Sequence, residues 1–266
     1  MQFDFGKNWK NFSAAALSDD KINRAREDFN ALLGTEKLNR KSFLDIGFGQ
    51  GLSILFATEA GALTTGCDIN PTCSEVLEYN AKKYFPQFSN TVIPVIIGSI
   101  LTPKIVEDIR EKSPDKSGLY DVVHSWGVLH HTGNMYKAIE NSISLVKPGG
   151  GIFCIAIYNK HWSSPLWKFI KWFYCKSPVF IQKTMVAIFY PVIWFAKLLV
   201  IRKNPTRQQR GMNFYFDIID WVGGYPYEYA SKSEILNYVE GFGFTCVKSI
   251  PAEVPTGCNQ FIFIRK

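Results

Sequence analysis

The sequence predicts an α/β fold: a mostly parallel sheet with helices on both faces, a last strand running antiparallel, and an aromatic helical insertion after the fifth strand. Three observations lead there. Short apolar or β-branched runs alternate with helical segments from residue 43 to residue 157, the pattern of parallel strands joined by crossover helices. The alternation breaks at Tyr158 and gives way to a stretch holding five of the seven tryptophans, Trp162, Trp167, Trp172, Trp194 and Trp221. It resumes near Ser231 and closes with two strand-like runs that have no helix between them, which favours antiparallel pairing.

Taken in order, residues 1–42 read as a helical cap. Phe3, Phe5, Trp9 and Phe12 form an aromatic cluster, and a polar helix from about Asp19 to Leu33 stops at Gly34. Residues 43–158 form a ligand-binding core. Its strands are expected at Phe43–Gly47, Leu63–Asp68, Val92–Ile97, Tyr120–Ser125 and Gly151–Ile157. Its helices are expected at Leu52–Ala60, Thr72–Tyr84 behind Pro71, Pro103–Glu111, and Asn134–Val146 before the turn Lys147-Pro148-Gly149-Gly150. Residues 159–230 form the insertion, read as a lid over an acceptor. Residues 231–266 complete the sheet: Ser231 and Glu234 make a capping box for a helix to about Glu240, and strands follow at Phe244–Ile250 and Gln260–Ile264.

The chain of 266 residues is 47% hydrophobic, enough to bury a full core. Its net charge of +7 is compatible with nucleic acid, an anionic membrane or an anionic substrate, but no run of five Lys/Arg marks a nucleic-acid tail. None of the six cysteines has CxxC spacing, and Cys67 and Cys154 sit within apolar runs as buried thiols. No metal site or disulfide framework is expected, and a reducing cytoplasm is favoured. Asp4 and Lys7 interrupt any apolar run at the N-terminus, so no secretory signal is read there.

The most informative stretch is Phe43-Leu44-Asp45-Ile46-Gly47-Phe48-Gly49-Gln50-Gly51. A buried strand runs into a glycine turn and a helix, which turns backbone N–H groups and a helix N-terminus toward a ligand. Asp68 ends the next strand, 23 positions after Asp45, near the spacing of about 20 expected of an acid that binds ribose hydroxyls. The turn is GxGxG. A dinucleotide fingerprint places its third glycine where Leu52 stands, and a P-loop needs Gly-Lys-Ser/Thr, which is absent. A nucleoside-containing cofactor without an obvious pyrophosphate is the expectation; a tight turn with no ligand is the bland alternative.

The order Leu-Asp-Ile-Gly-x-Gly-x-Gly, Cys-Asp-Ile-Asn, Tyr-Asp-Val-Val-x-Ser-Trp-Gly-Val-Leu-His-His, then Val-Lys-Pro-Gly-Gly resembles the class I S-adenosylmethionine-dependent methyltransferases over about residues 40–157. The resemblance implies a Rossmann-like sheet and S-adenosyl-L-methionine as cofactor. It implies that Asp45, Gly47, Gly49 and Gly51 line the methionine end, that Asp68 binds the ribose and that Ile69 packs on adenine. Ser99 and Ile100 take the place of the adenine-edge loop, where many relatives carry Asp at the position of Ser99. Ser125 and Trp126 end the fourth strand, where relatives face the sulfonium; core packing is the alternative for Trp126.

Methyl transfer to oxygen needs alignment and removal of a proton. His130 and His131 follow the fourth strand at the C-terminal edge of the sheet, where open α/β sheets bind ligands, and histidine titrates near neutral pH. Quinone-type relatives commonly carry a histidine at His131, which makes it the first candidate base; one of the pair is expected to be structural. The insertion offers more. Tyr158 and His161 follow the fifth strand, and Asp217, Asp220, Tyr225 and Tyr227 lie in a polar, aromatic and glycine-containing run. Asp217 and Asp220, three apart, share a helix face, and either is an alternative base; an acidic helix end that only folds the lid is the competing reading. Arg-Gly-Met (210–212), Asp-Trp-x-Gly-Gly-Tyr-Pro-Tyr-Glu (220–228) and Gly-Cys-Asn-Gln-Phe (257–261) resemble a bacterial subgroup commonly described as ubiquinone-type methylases, which implies surface-polysaccharide or small-metabolite pathways.

Met185–Ile201 is almost wholly apolar, with Pro191 and Lys197 inside it. Lys168, Lys171, Lys176 and Lys183 precede this run, and Arg202, Lys203, Arg207 and Arg210 follow it. Its seventeen residues fall short of the roughly 20 of a membrane span. A lid, a homodimer surface, a peripheral contact with an anionic inner membrane and, against its proline and lysine, a membrane span are the readings. The function expected is O-methylation of a small polar acceptor such as a sugar or phospho-sugar of surface-polysaccharide biosynthesis. The alternatives are a quinone or lipid acceptor at the membrane surface, and a non-catalytic module that binds the cofactor. Nucleic acid is not an expected partner, because Ser125-Trp126-Gly127 stands where base-amine methylases carry Asn-Pro-Pro-Tyr.

Overall fold

The computed structural model describes residues 2–34, 37–202, 204 and 213–266. The segment 210–212 and the basic residues Lys203, Arg207 and Arg210 lie outside the described residues. Helices α1 (Phe5–Ala15) and α2 (Asp19–Leu33) precede β1 (Ser42–Ile46), α3 (Leu52–Glu59), β2 (Leu63–Asp68), α4 (Thr72–Tyr84), β3 (Val95–Ile97), α5 (Pro103–Glu111), β4 (Val122–Trp126), α6 (Met135–Ile143) and β5 (Ile152–Tyr158). The insertion folds as α7 (Ser164–Lys176), α8 (Val179–Ile201) and α9 (Phe214–Gly223). The chain ends with α10 (Lys232–Glu240), β6 (Phe244–Ile250) and β7 (Cys258–Arg265).

The seven strands lie in the order β3-β2-β1-β4-β5-β7-β6. All pairs are parallel except those of β7, which runs antiparallel to both β5 and β6. The strand order reverses between β1 and β4, so the crevice beyond their C-terminal ends is the topological switch point where such sheets bind ligands.

Local chemistry accounts for the element ends. Strand β3 is shorter than the β-branched run from Val92, because Pro94 has no N–H for a ladder and only its carbonyl is used, by Gly66 N–H at 2.9 Å. Helix α6 starts at Met135 because Asn134 caps it, its side chain accepting from Lys137 N–H. The capping box of Ser231 and Glu234 opens α10.

Successive residues of each strand feed opposite layers. Leu44, Val123, Phe153 and Ile155 pack toward α6 and α10 with Met135, Ile139, Ile235 and Val239. Phe43, Val122 and Cys154 pack toward α2, α3 and α4 with Phe29, Leu55, Phe56 and Leu77. A third cluster sits in the insertion, where Val186 and Ile193 of α8 meet Tyr174 of α7 and Phe214, Ile218 and Val222 of α9. The N-terminal cap joins it: Phe3 N–H donates to the Tyr225 carbonyl at 2.8 Å, and the Phe12 and Phe216 rings meet edge to face.

Candidate active site

The switch-point crevice opens into a cleft of about 1230 Å³, larger than the roughly 300–1,000 Å³ of a single small-molecule site and sufficient for a cofactor and an acceptor together. One end is built by the turn after β1. Gly47 (φ +74°) and Gly49 (φ +53°) hold left-handed conformations that side chains resist. A Cβ on Gly47 would stand 2.3 Å from Val128, and one on Gly49 would stand 2.8 Å from the Trp9 indole nitrogen. Gly51, expected to line the cofactor, does not reach the cleft; it opens α3, and a Cβ there would stand 2.4 Å from Leu77.

Asp68 at the tip of β2 is buried and lines the cleft. Its Oδ2 accepts from Gly49 N–H at 3.0 Å and its Oδ1 from Asn70 N–H at 2.9 Å. Burial pushes its carboxyl above the ordinary carboxylate range, and these N–H groups pull it part of the way back. Ile69 presents 48% of its surface, and with Ser99 and Ile100 it forms the neighbouring wall. Ser99 Oγ is engaged by Leu101 N–H at 3.2 Å.

Strand alternation separates two residues expected together. Trp126 lines the cleft, whereas Ser125 points to the opposite face, where its Oγ donates to the Ile46 carbonyl at 2.9 Å. The side chain that accompanies Trp126 is His124, in the position left variable between Val123 and Ser125. His124 stacks parallel to Trp126 with ring centres 5.7 Å apart, and its Nδ1 lies 2.8 Å from Asp45 Oδ1. A lone histidine inside an apolar strand carried no spacing signal that could mark it.

The other end of the cleft is lined by His131, Tyr158, Asp217, Asp220 and Trp221, with Phe3 and Phe5 of the N-terminal segment across from them. His131 Nδ1 donates to the Pro226 carbonyl at 2.6 Å, which leaves the neutral ring its lone pair on Nε2. Burial, and then the nearby Lys171 cation, push its pKa down to about 3. His130 does not line the cleft; it is fully buried, and its Nδ1 accepts the Tyr158 N–H at 3.2 Å. His161 lies outside as well, its Nδ1 2.8 Å from Ser163 Oγ at the start of α7. Neither Tyr225 nor Tyr227 reaches the cleft. Tyr225 contributes its carbonyl to Phe3, and Tyr227 is buried against Lys171.

The two carboxylates of α9 have different surroundings. Asp217 Oδ2 pairs with Lys197 Nζ at 2.8 Å, which explains a lysine within the apolar α8. Asp220 Oδ1 accepts from Asn8 Nδ2 of α1 at 2.6 Å. The surface Asp220 retains opens on the cleft, and burial, reinforced by Asp217, pushes its pKa up to about 8. Lys171, expected on the basic rim of the hairpin, is instead buried. Its Nζ donates to the Trp221 carbonyl and lies 4.9 to 5.6 Å from the ring centres of Tyr227, Trp221 and Tyr158. Burial lowers its pKa to about 7. Phe5 and Trp9 were legible only as members of an N-terminal aromatic cluster and Asn8 not at all, with no sign that this segment roofs the site.

Leu52 stands where a dinucleotide fold has its third glycine, so the turn suits one nucleoside rather than a pyrophosphate-linked pair. The Asp68 carboxylate and the apolar Ile69 beside it fit the ribose and base of S-adenosylmethionine, and the class of protein is a class I S-adenosylmethionine-dependent methyltransferase. Over residues 18–191 the sequence matches the methyltransferase-domain family, and the chain belongs to that family. The ubiquinone biosynthesis O-methyltransferase of Vibrio vulnificus is 27% identical over 150 residues, 56% of this chain and 57% of that protein. That of Vibrio atlanticus is 28% identical over 167 residues, 63% of this chain and 64% of the relative. The chain therefore spans a little over half the length of these curated relatives. Among solved structures, a magnesium protoporphyrin IX methyltransferase from Synechocystis with bound SAH has a TM-score of 0.56 at 13% identity, covering 98% of this chain and 94% of that one. At that identity the likeness establishes the fold.

Proposed function

We propose that the protein is an O-methyltransferase for a planar, amphiphilic acceptor bearing a quinol or phenol hydroxyl, with Asp220 taking the hydroxyl proton. The observation that carries the reading is a carboxyl held among aromatic side chains at the cleft end away from Asp68, with a pKa raised to about 8. A base works best when its pKa lies near the operating pH. His131, the base expected from the sequence, is held neutral at about 3, too weak to remove such a proton. It serves instead to accept a hydrogen bond and orient the acceptor. Asp217 is already committed to Lys197.

S-adenosylmethionine supplies, when bound, an electrophilic methyl group. The chain's own residues do the rest. Asp68 and the Gly47–Gly49 turn hold the nucleoside end, Tyr158 and Trp221 give flat walls for the acceptor, and α1 covers the cleft against water. The quinol reading draws support from relatives named for ubiquinone biosynthesis. Neither of those names concerns a glycan, and the aromatic lining favours a flat acceptor over a sugar.

The test is transfer of labelled methyl from S-adenosylmethionine by the purified protein to catechols and quinols, with sugar phosphates in parallel. Label in the aromatic hydroxyls, abolished in Asp220→Asn, is the expected result. Label confined to sugar phosphates overturns the acceptor, and full activity of Asp220→Asn overturns the base.

A further inference from the structure

Helix α8 is apolar on every side, yet only one side is covered. Its residues Val186, Phe189, Tyr190 and Ile193 pack on the insertion. The opposite stripe, Ile188, Val192, Phe195 and Leu199, is 57 to 64% exposed along three turns. A helix without a polar face is normally a core or membrane element, and contiguous exposed apolar surface of this kind marks an interaction site. By length and composition Val179–Val200 is apolar enough to cross a membrane. Helix α7 continues the surface with Phe169 and Trp172 exposed.

The charge around this surface selects its partner. From Glu140 to Asp217 the sequence contains no acidic residue between them. Lys168 and Lys176 on α7, Lys183 near the start of α8 and Arg202 at its end are exposed on the same hairpin. A second copy of the hairpin would bring like charges together. An anionic lipid surface offers acyl chains to the stripe and phosphates to the lysines. Tryptophan at the edge of such a surface suits the headgroup boundary. The inner face of α8 is held by α9 and by the Lys197–Asp217 pair, so the helix lies along the bilayer rather than through it.

We propose that the α7–α8 hairpin is a docking face for an anionic bilayer, lying in the plane of the interface with the α8 stripe in the acyl boundary. The test is flotation of the purified protein with phosphatidylcholine vesicles with and without phosphatidylglycerol, at low and high salt. Neither acceptor nor methyl donor is present, so the outcome is independent of the acceptor and base assigned above. The protein is expected to float with the anionic vesicles, less so at high salt. The combined variant Ile188→Glu, Val192→Glu, Phe195→Glu should lose binding by about tenfold or more. Retained affinity for S-adenosylhomocysteine in the variant shows that it is folded. Protein that stays at the bottom with both vesicle types overturns the proposal. So does a dimer that the same variant dissociates, without vesicle binding, or vesicle association that survives an alkaline wash, as a spanning helix would.

Discussion

Asp45 and His124 face each other across the parallel β1–β4 pair, in register, with Oδ1 and Nδ1 2.8 Å apart and both side chains buried. The sheet register sets this contact, and Phe43 and Trp126 stack on the two sides of the imidazole. His124→Ala leaves the Asp45 carboxylate buried without that partner, a change that costs roughly 3–5 kcal/mol. Urea denaturation should show a loss near that size. A loss under about 1 kcal/mol, the scale of an ordinary hydrogen bond, would mean the pair contributes little.

Asp68→Ala should weaken S-adenosylhomocysteine binding by about a hundredfold or more, since each hydrogen bond to a charged group contributes roughly 1.5–3 kcal/mol. Calorimetry gives the affinity, and circular dichroism checks that removal of the link to Gly49 leaves the fold intact. Equal affinity in parent and variant removes Asp68 from the cofactor site.

The base makes a kinetic prediction. With Asp220 raised to about 8, kcat/KM should climb with pH through that region, and it should show no His131 step near 6.5. Asp220→Asn should lower the rate by about a hundredfold to ten-thousandfold and flatten the climb. An unchanged profile in the variant assigns the step to another group.

Stability follows the same carboxyl with a definite sign. Between the ordinary aspartate value of 3.8 and about 8 the folded chain keeps a proton that the unfolded chain has lost. Its contribution to stability is therefore full below the lower limit and declines as pH rises through the window. The difference in denaturation midpoint between parent and Asp220→Asn should drift in favour of the variant from pH 5 to pH 8. A constant difference across that range contradicts the raised pKa.

Lys171 adjusts that carboxyl from the far side of Trp221. Its cation, present below its own pKa of about 7, lowers the Asp220 pKa, so Lys171→Met should move the foot of the activity limb, near neutral pH, to higher pH. The stability change should stay within about 2 kcal/mol, because an apolar side chain also suits the aromatic pocket. A limb that does not move breaks the electrostatic link.

The parallel core was legible because its strands and helices carry clear periods and its turns carry Gly and Pro. That is why the paired strands at the C-terminal end, and the glycine turn beside Asp68, could be placed from residues alone. The insertion was opaque for a physical reason: α8 is apolar all round, so it has no period to read. Spacing put Asp217 and Asp220 on one helix face, but only tertiary structure gives the first a lysine and the second an asparagine. His124 and the roof formed by α1 depend on sheet register and on contacts more than two hundred residues apart in sequence, such as Asn8 to Asp220.

Helix α1 grips both halves of the cleft. Asp4 accepts from Asn70 beside the cofactor wall at 2.7 Å, and Asn8 donates to Asp220 at 2.6 Å. A displacement of the helix and its cap would therefore break a contact at each end of the cleft, so the geometry around Asn70 and the hydrogen bonding of Asp220 are coupled through one short element.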